Sequence, residues 1–302
     1  MTTALIILAA VLLDRFVPEP ARLHPLAGFG YLADRLEARW NRPRGRKAKG
    51  LLALVLLVGP FAALAAWLGG LPGVGPLIAL ALLFLALGGG SLAAHGEAVA
   101  APLAQGDLAG ARSAVGRMVS RETGAMGETE VAGAAVESVL ENGADAVFSA
   151  LFWFVVLGPG GVVLYRLVNT LDAMWGYPGA RFQQFGWAAA RFDDLLNWIP
   201  ARLTAATYAL AGAWEPAMEA WRNQARHWKS PNAGPVMAAG AGALGVRLGG
   251  PAHYGGAAEE RPALGGGREP EGEDIRRAVA LLRRGLVLWL VLIILVGGAL
   301  LA

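Results

Sequence analysis

Three stretches of this chain, Leu51–Leu68, Leu77–Ala94 and Gly285–Leu301, contain no charged side chain. Each approaches the ~20 residues that a helix needs to cross a bilayer. A segment surrounded by hydrocarbon must satisfy its own backbone hydrogen bonds, so an isolated apolar run of this length is a helix. The composition agrees: 55% of the 302 residues are hydrophobic and 16% are charged, with a mean hydropathy of +0.46. These values exclude an ordinary soluble domain. The sequence predicts an all-α, polytopic helical integral membrane protein whose polar helices and loops lie on the cytoplasmic side and form the site. Cysteine is absent, which excludes disulfides, thiolate nucleophiles and thiolate metal sites. A formal net charge of +3 is too small to argue for a nucleic-acid partner.

Clustered charge sets the orientation. Arg35, Arg39, Arg42, Arg44, Arg46, Lys47 and Lys49 precede the first long run and mark a cytoplasmic flank. The Gly69–Pro76 turn sends the chain back through Leu77–Ala94, and Arg283 and Arg284 place the start of the last run inside. Ala4–Leu13 has about half the spanning length and is expected as a shallow, re-entrant or tilted helix; no signal-peptide pattern accompanies it. Ala146–Leu157 and Val162–Leu167 flank Gly158-Pro159-Gly160-Gly161, which reads as a broken helix or re-entrant hairpin. Glu215–Lys229 reads as an amphipathic surface helix. Residues 249–272, rich in Gly, Pro and charge, read as a loop. The chain is expected as one membrane-embedded domain, with membrane segments near 4–13, 51–68, 77–94, 146–167, 203–214 and 285–301.

The chemistry is concentrated in polar segments. In Tyr165–Ala205, Asn169, Asp172, Arg181, Arg191, Asp193, Asp194, Asn197 and Arg202 alternate with Trp175, Tyr177, Phe182, Phe185, Trp187 and Trp198. Buried charge is expensive unless paired, so this block belongs at or above the membrane surface. Asn169 and Asp172 share a helical face, as do Arg191 and Asp194, the latter with the spacing of a plain ion pair. The aromatic residues form an interfacial belt or stack on a planar ligand.

Ser120-Arg121-Glu122-Thr123 sits in a loop before a helix that begins near Glu128. It serves either as an anion-binding loop or as a capping loop with an internal Arg–Glu pair. Glu130, Glu137, Glu141 and Asp145 recur at spacings of seven, four and four, and on a helix would line one face. Such a stripe is a solvated surface or needs a compensating cation, for which Mg²⁺ is suited. Asn142, Ser230 and Asn232 add polar groups, the last two in the loop Ser230–Gly234. Arg247–Pro251 is a second Gly-rich loop. No P-loop or dinucleotide fingerprint is present. The four histidines lack metal-ligand spacing.

Together these segments resemble the adenosylcobinamide-phosphate synthase family (CobD/CbiB) of cobalamin biosynthesis. The resemblance runs from LHP at Leu23–Pro25 through SRET (120–123) and AAVESVLEN (134–142). It takes in YRLVNTLD…GY…RF..FGWAAARFDDLLNWIPARLTA (165–205), SPNAG (230–234) and GALGVRLGGP..YGG (242–256). The 165–205 stretch is its most specific part. The family commonly carries Asp where Glu122 stands, so the carboxylate is kept.

The resemblance implies a multi-pass bacterial inner-membrane enzyme with its site facing the cytoplasm. The implied reaction is ATP-dependent amide formation between adenosylcobyric acid and (R)-1-amino-2-propanol or its O-phosphate, with Mg²⁺. Arg121 and Arg191 are assigned to phosphate, Glu122 to the catalytic set, Glu141 and Asp145 to the metal, and Asp172 or Asp194 to the base. Ser120, Glu137, Asn142, Asn169, Asp193, Asn197, Arg202, Ser230 and Asn232 are assigned to substrate. The resemblance also implies other enzymes of the pathway as partners. The competing readings are a non-catalytic corrinoid-binding scaffold and a corrinoid carrier with a site framed by the Gly158–Gly161 break.

Overall fold

The computed structural model describes residues 2–18, 24–176, 179–254 and 257–299. Leu23, Tyr177, Gly255, Gly256 and the last two residues of the 285–301 run lie outside them. In chain order the helices are α1 (Thr2–Phe16), α2 (Pro25–Trp40), α3 (Arg46–Gly69), α4 (Gly75–Ala86), α5 (Gly89–Ala104) and α6 (Leu108–Val115). Then follow α7 (Glu128–Gly143), a π-helical turn (Ala144–Ser149), α8 (Ala150–Trp175), α9 (Trp187–Ala211), α10 (Trp214–Gln224), α11 (Ala233–Leu244) and α12 (Gly272–Ala299). Four stretches, Arg46–Gly69, Gly75–Ala104, Glu128–Trp175 and Gly272–Gly297, are long and apolar enough to cross a membrane. The chain is thus an all-α polytopic membrane protein.

The loop expected over 249–272 is corrected. It contributes most of two small antiparallel ribbons, β1 (Arg247–Gly249) with β4 (Ala263–Gly265) and β2 (Ala252–Tyr254) with β3 (Ala257–Glu259). Three-residue strands rich in glycine carry no readable alternation. Gln224 fixes the first ribbon: its side-chain amide donates to the Gly265 carbonyl at 2.8 Å and accepts from the Gly265 N–H at 2.6 Å.

The chain divides into two compact units. The first comprises Met1–Gly88, Ser149–Asn197 and Gly297–Ala302. Here α3 packs on α8 and α4, and α1 on α4. Local chemistry starts α2: His24 is its N-cap, accepting at Nδ1 from the Leu26 N–H at 3.2 Å, and Pro25 follows at N1, where its missing N–H does no harm. The Gly158–Gly161 break is a kink within α8. Gly158 has φ 62°, a left-handed conformation that glycine tolerates, and Pro159 follows. The kinked backbone packs closely on α3, since a Cβ on Gly160 would come within 2.8 Å of the Ala66 Cβ.

The second unit comprises Gly89–Phe148 and Trp198–Val296. Within it α5 packs against α6 and α7, and α11 against α10 and β4. Every residue of α11 is buried, which its Ala- and Gly-rich sequence permits because small side chains allow close helix approach. Tyr208 Oη donates to the Leu140 carbonyl at 3.0 Å, just before the π-helical turn. Phe148 packs against both Tyr208 and Trp289. The foot of α12 is held by fully buried Asp274, which accepts two bonds from Arg268 at 2.6 and 2.8 Å and one from Arg277 at 2.5 Å.

Candidate functional site

In the second unit, Glu137 is the centre of a charge cluster. This buried carboxylate accepts from Arg121, from Arg261 Nη1 at 3.0 Å and Nη2 at 3.2 Å, and from the Gly249 N–H at 2.8 Å. The arginine side chains are only 9% and 10% exposed, so one carboxylate holds two nearly buried guanidiniums by charge-assisted bonds.

Each donor reaches Glu137 for a local reason. Arg121 lies on the loop between α6 and α7, which is pinned at three points. Arg112 Nε donates to the Met126 carbonyl at 2.6 Å, Ser138 Oγ to the Met118 carbonyl at 3.1 Å, and Gly127 N–H to Glu130 Oε2 at 2.7 Å. Gly249, at the end of β1, has φ 82°, and a Cβ there would lie 2.1 Å from the Pro262 carbonyl oxygen. Glycine is required on both counts. Arg261, between β3 and β4, also donates through Nε to the Gly250 carbonyl at 3.0 Å and lies over the Trp228 ring.

Beside this cluster is a cavity of about 340 Å³ whose walls include Arg121, Glu122, Glu130, Glu137, Arg247, Gly249, Arg261 and Glu269. Arg247 is 61% exposed and pairs with Glu269 at 3.7 Å. The guanidinium N–H groups of this wall that are not taken up by Glu137 are suited to phosphate or carboxylate.

The acidic stripe expected along α7 does not hold as one face. Glu130 folds back as a capping-box residue on Gly127, and Glu137 is compensated by arginine. The π-helical turn interrupts the α-helical register between Glu141 and Asp145. Among the described residues no three His, Cys, Asp or Glu side chains form a group able to hold a metal ion. Asn142 Nδ2 donates back to the Ser138 carbonyl and hydroxyl at 2.9 and 3.0 Å. Ser120 is exposed on the Arg121 loop. Ser230 Oγ accepts from the N–H groups of Asn232 and Ala233 at 3.3 and 3.1 Å and shapes the turn into α11. Arg202 ties that turn down through Asn232 Oδ1 at 3.2 Å and the Pro231 carbonyl at 3.3 Å.

The first unit holds the remaining predicted residues. Asp193 accepts from Asn169 Nδ2 at 3.2 Å and Asn197 Nδ2 at 3.0 Å. Asn197 Oδ1 in turn accepts from Ser149 at 2.9 Å and Tyr165 at 3.0 Å. Asp193 and Asp194 lie close enough to act electrostatically on Asp172, whose carboxylate occupies the space a Cβ on Gly176 would fill. Burial pushes the carboxyl of Asp193 up, against the Asn169 and Asn197 amides, and the Asp194 charge adds to the rise. Burial also raises Asp194, opposed by Arg191. Arg191 is 69% exposed and 3.7 Å from Asp194, the geometry of a surface pair. Trp175 and Phe185 pack edge-on in the core, whereas Trp187 is exposed beside Lys47.

Buried Glu37 is bound by Arg181 at 3.0 and 2.5 Å and by Asn41 at 2.6 Å. Arg181, with Asn41, holds the Glu37 carboxyl below its ordinary value of 4.5 despite burial. A depressed folded pKa contributes stability above the unfolded value, and that stability is lost as pH falls through the folded pKa. Arg181→Met is therefore expected to destabilise the protein at neutral pH, because it leaves the buried Glu37 carboxylate with Asn41 as its remaining partner. In unfolding curves recorded in detergent, the gap from wild type should close as pH drops below 4.5.

Arg261 and Gly249 were not singled out by their sequence pattern as partners of Glu137. Arg261 is 124 residues from it, and no spacing rule links them.

Four apolar helical stretches and compact clusters of paired charge define a multi-pass membrane protein with enzyme-like polar sites. A family model described as CobD/Cbib protein matches residues 7–282. A Chromobacterium violaceum protein, "Cobalamin biosynthesis protein CobD", is 56% identical over 96% of this chain and 95% of its own length. A Stutzerimonas stutzeri protein of the same name is 55% identical over 99% of both chains. The Mycobacterium tuberculosis protein of that name is 43% identical over 93% of this chain and 92% of its own. No solved structure matches. The chain belongs to the CobD/Cbib protein family, and this membership supports a role in cobalamin biosynthesis.

Proposed function

We propose that this protein is an ATP-dependent ligase that joins the carboxyl of adenosylcobyric acid to (R)-1-amino-2-propanol or its O-phosphate. The observation that supports this reading best is the arginine-walled cavity around Glu137, in a chain of the CobD/Cbib family. A carboxylate and an ammonium do not condense favourably in water, so the acid must be activated. Transfer of the terminal phosphoryl group of ATP to the carboxylate gives an acyl phosphate and ADP. The amine then attacks the acyl carbon, phosphate leaves, and a carboxylate accepts the proton lost by nitrogen.

Arg121, Arg247 and Arg261 are assigned to phosphoryl charge. Arg121 and Arg261 are held in place by Glu137 and need little reorganisation to bind an anion. Glu141 and Asp145 would hold Mg²⁺. Two carboxylates suit this ion, which completes its shell with phosphate oxygens and water. In the first unit, Asp172 or Asp194 is assigned as proton acceptor, and Asn169 and Asn197 hold Asp193 beside them. The raised carboxyl of Asp194 is better matched to taking up a proton than an ordinary carboxylate. The basic flank 35–49 supports an orientation with the polar segments on the cytoplasmic side, and the apolar segments are assigned to the inner membrane.

The test is turnover of purified protein in nanodiscs with adenosylcobyric acid, Mg-ATP and each amine in turn, with the corrinoid product identified by mass. Amide product that requires ATP is expected, and the better amine identifies the natural one. Corrinoid binding without product would assign the chain to a scaffold instead. ATP-independent uptake into proteoliposomes would make it a carrier.

A further inference from the structure

The first unit has a cavity of its own, about 500 Å³ in volume, lined by Glu37, Ala38, Asn41, Arg46, Ala180 and Arg181. Among the described residues, two of its buried polar atoms have no hydrogen-bond partner: the acceptor Asn41 Oδ1 and the donor Arg46 Nε. Buried polar groups are nearly always satisfied, so such exceptions call for an explanation. The other groups in the wall are committed. Glu37 is bound by Arg181 and by Asn41 Nδ2, and that same amide also donates to the Arg181 carbonyl at 2.9 Å. Arg46 Nη1 donates to the Ala180 carbonyl at 3.3 Å.

A water molecule could bond to either orphan atom, whereas an anion would in addition meet the charge of half-buried Arg46. The fitting occupant is an anion that also carries a donor. A phosphodiester bearing a hydroxyl or ammonium group meets both needs: its oxygens take Arg46, and its donor takes Asn41 Oδ1.

The source of that group follows from where the pocket lies. Arg46 is the first residue of α3, an apolar stretch long enough to span the membrane. The end of a span lies at headgroup depth. Exposed Arg42, Arg44 and Lys47 flank Arg46 in the sequence, and Lys47 rests over the exposed Trp187 ring, an anchor typical of the interface. Juxtamembrane basic clusters attract anionic lipid. We propose that this pocket binds the headgroup of a phospholipid with a donor beyond its phosphate, such as phosphatidylglycerol or phosphatidylethanolamine.

The test is thermal unfolding in detergent with added dioleoyl phosphatidylglycerol, phosphatidylethanolamine or phosphatidylcholine, and with soluble O-phosphoethanolamine. The two lipids with donors should raise Tm by about 3 °C or more, and phosphatidylcholine, which lacks the donor, by much less. Arg46→Gln should abolish the difference, while Arg44→Gln, outside the pocket wall, should retain it. Equal shifts with all three lipids, or an unchanged difference in Arg46→Gln, would overturn the proposal. A shift with O-phosphoethanolamine and none with lipid would reassign the pocket to a soluble phosphate ester. Native mass spectrometry of wild-type protein extracted from membranes serves as a second readout that needs no variant. A retained phosphatidylglycerol or phosphatidylethanolamine is expected, and its absence counts against the site.

Discussion

Glu137→Ala is expected to destabilise the protein by about 3–5 kcal/mol, the usual penalty for removing one partner of a buried ion pair. The penalty arises because the mutation strands two guanidiniums that are 9% and 10% exposed and removes the acceptor of the Gly249 N–H. Denaturant or thermal unfolding in detergent measures it. A loss below about 1 kcal/mol, the typical value for a point substitution, would show that the cluster relaxes into water and is not a rigid wall. Adding Arg121→Met to Glu137→Ala should recover part of the loss, because apolar groups often replace buried pairs at little expense.

The double variant Asp172→Asn and Asp194→Asn is expected to lower kcat by about 10²–10⁴, the range for loss of a positioned proton acceptor. Asparagine preserves the shape of both side chains, including the close fit of Asp172 against Gly176, so unfolding curves should change little. Single-turnover assays with both amines separate chemistry from product release. Turnover within about tenfold of wild type would remove both aspartates from the proton-transfer role and direct attention to Asp193 or to carboxylates of the second unit.

Much of the helical skeleton was legible because its signals are local. Charge-free runs announce spans, Gly158-Pro159 announces a break, and the start of α7 at Glu128 follows a Gly-containing loop. The ribbons in 247–265 were not legible, because strands of three residues show no period and their pairing joins distant segments. At the site, Arg121 and Glu137 were both recognised as candidates, yet their bond was not. The sequence placed Arg121 next to Glu122 and suggested an internal pair, whereas the loop carries it across to α7. An acidic stripe invited a metal, and at Glu137 the compensating charge is arginine. The π-helical turn carries no periodic signal that the sequence could show, and Tyr208, which donates to Leu140 just before it, comes from α9, 68 residues away.

The wall of the second unit's cavity sets three arginines against four glutamates. Such a wall has no surplus positive field to draw anions in from a distance, and attraction begins only at contact. Capture of a nucleotide there would be slow to sense ionic strength, unlike capture by an all-basic groove, where association weakens steeply with salt. The KM for Mg-ATP should accordingly stay nearly constant between low and physiological salt. Free polyanions should compete poorly, because the glutamates exclude any ligand that arrives without its own countercharge.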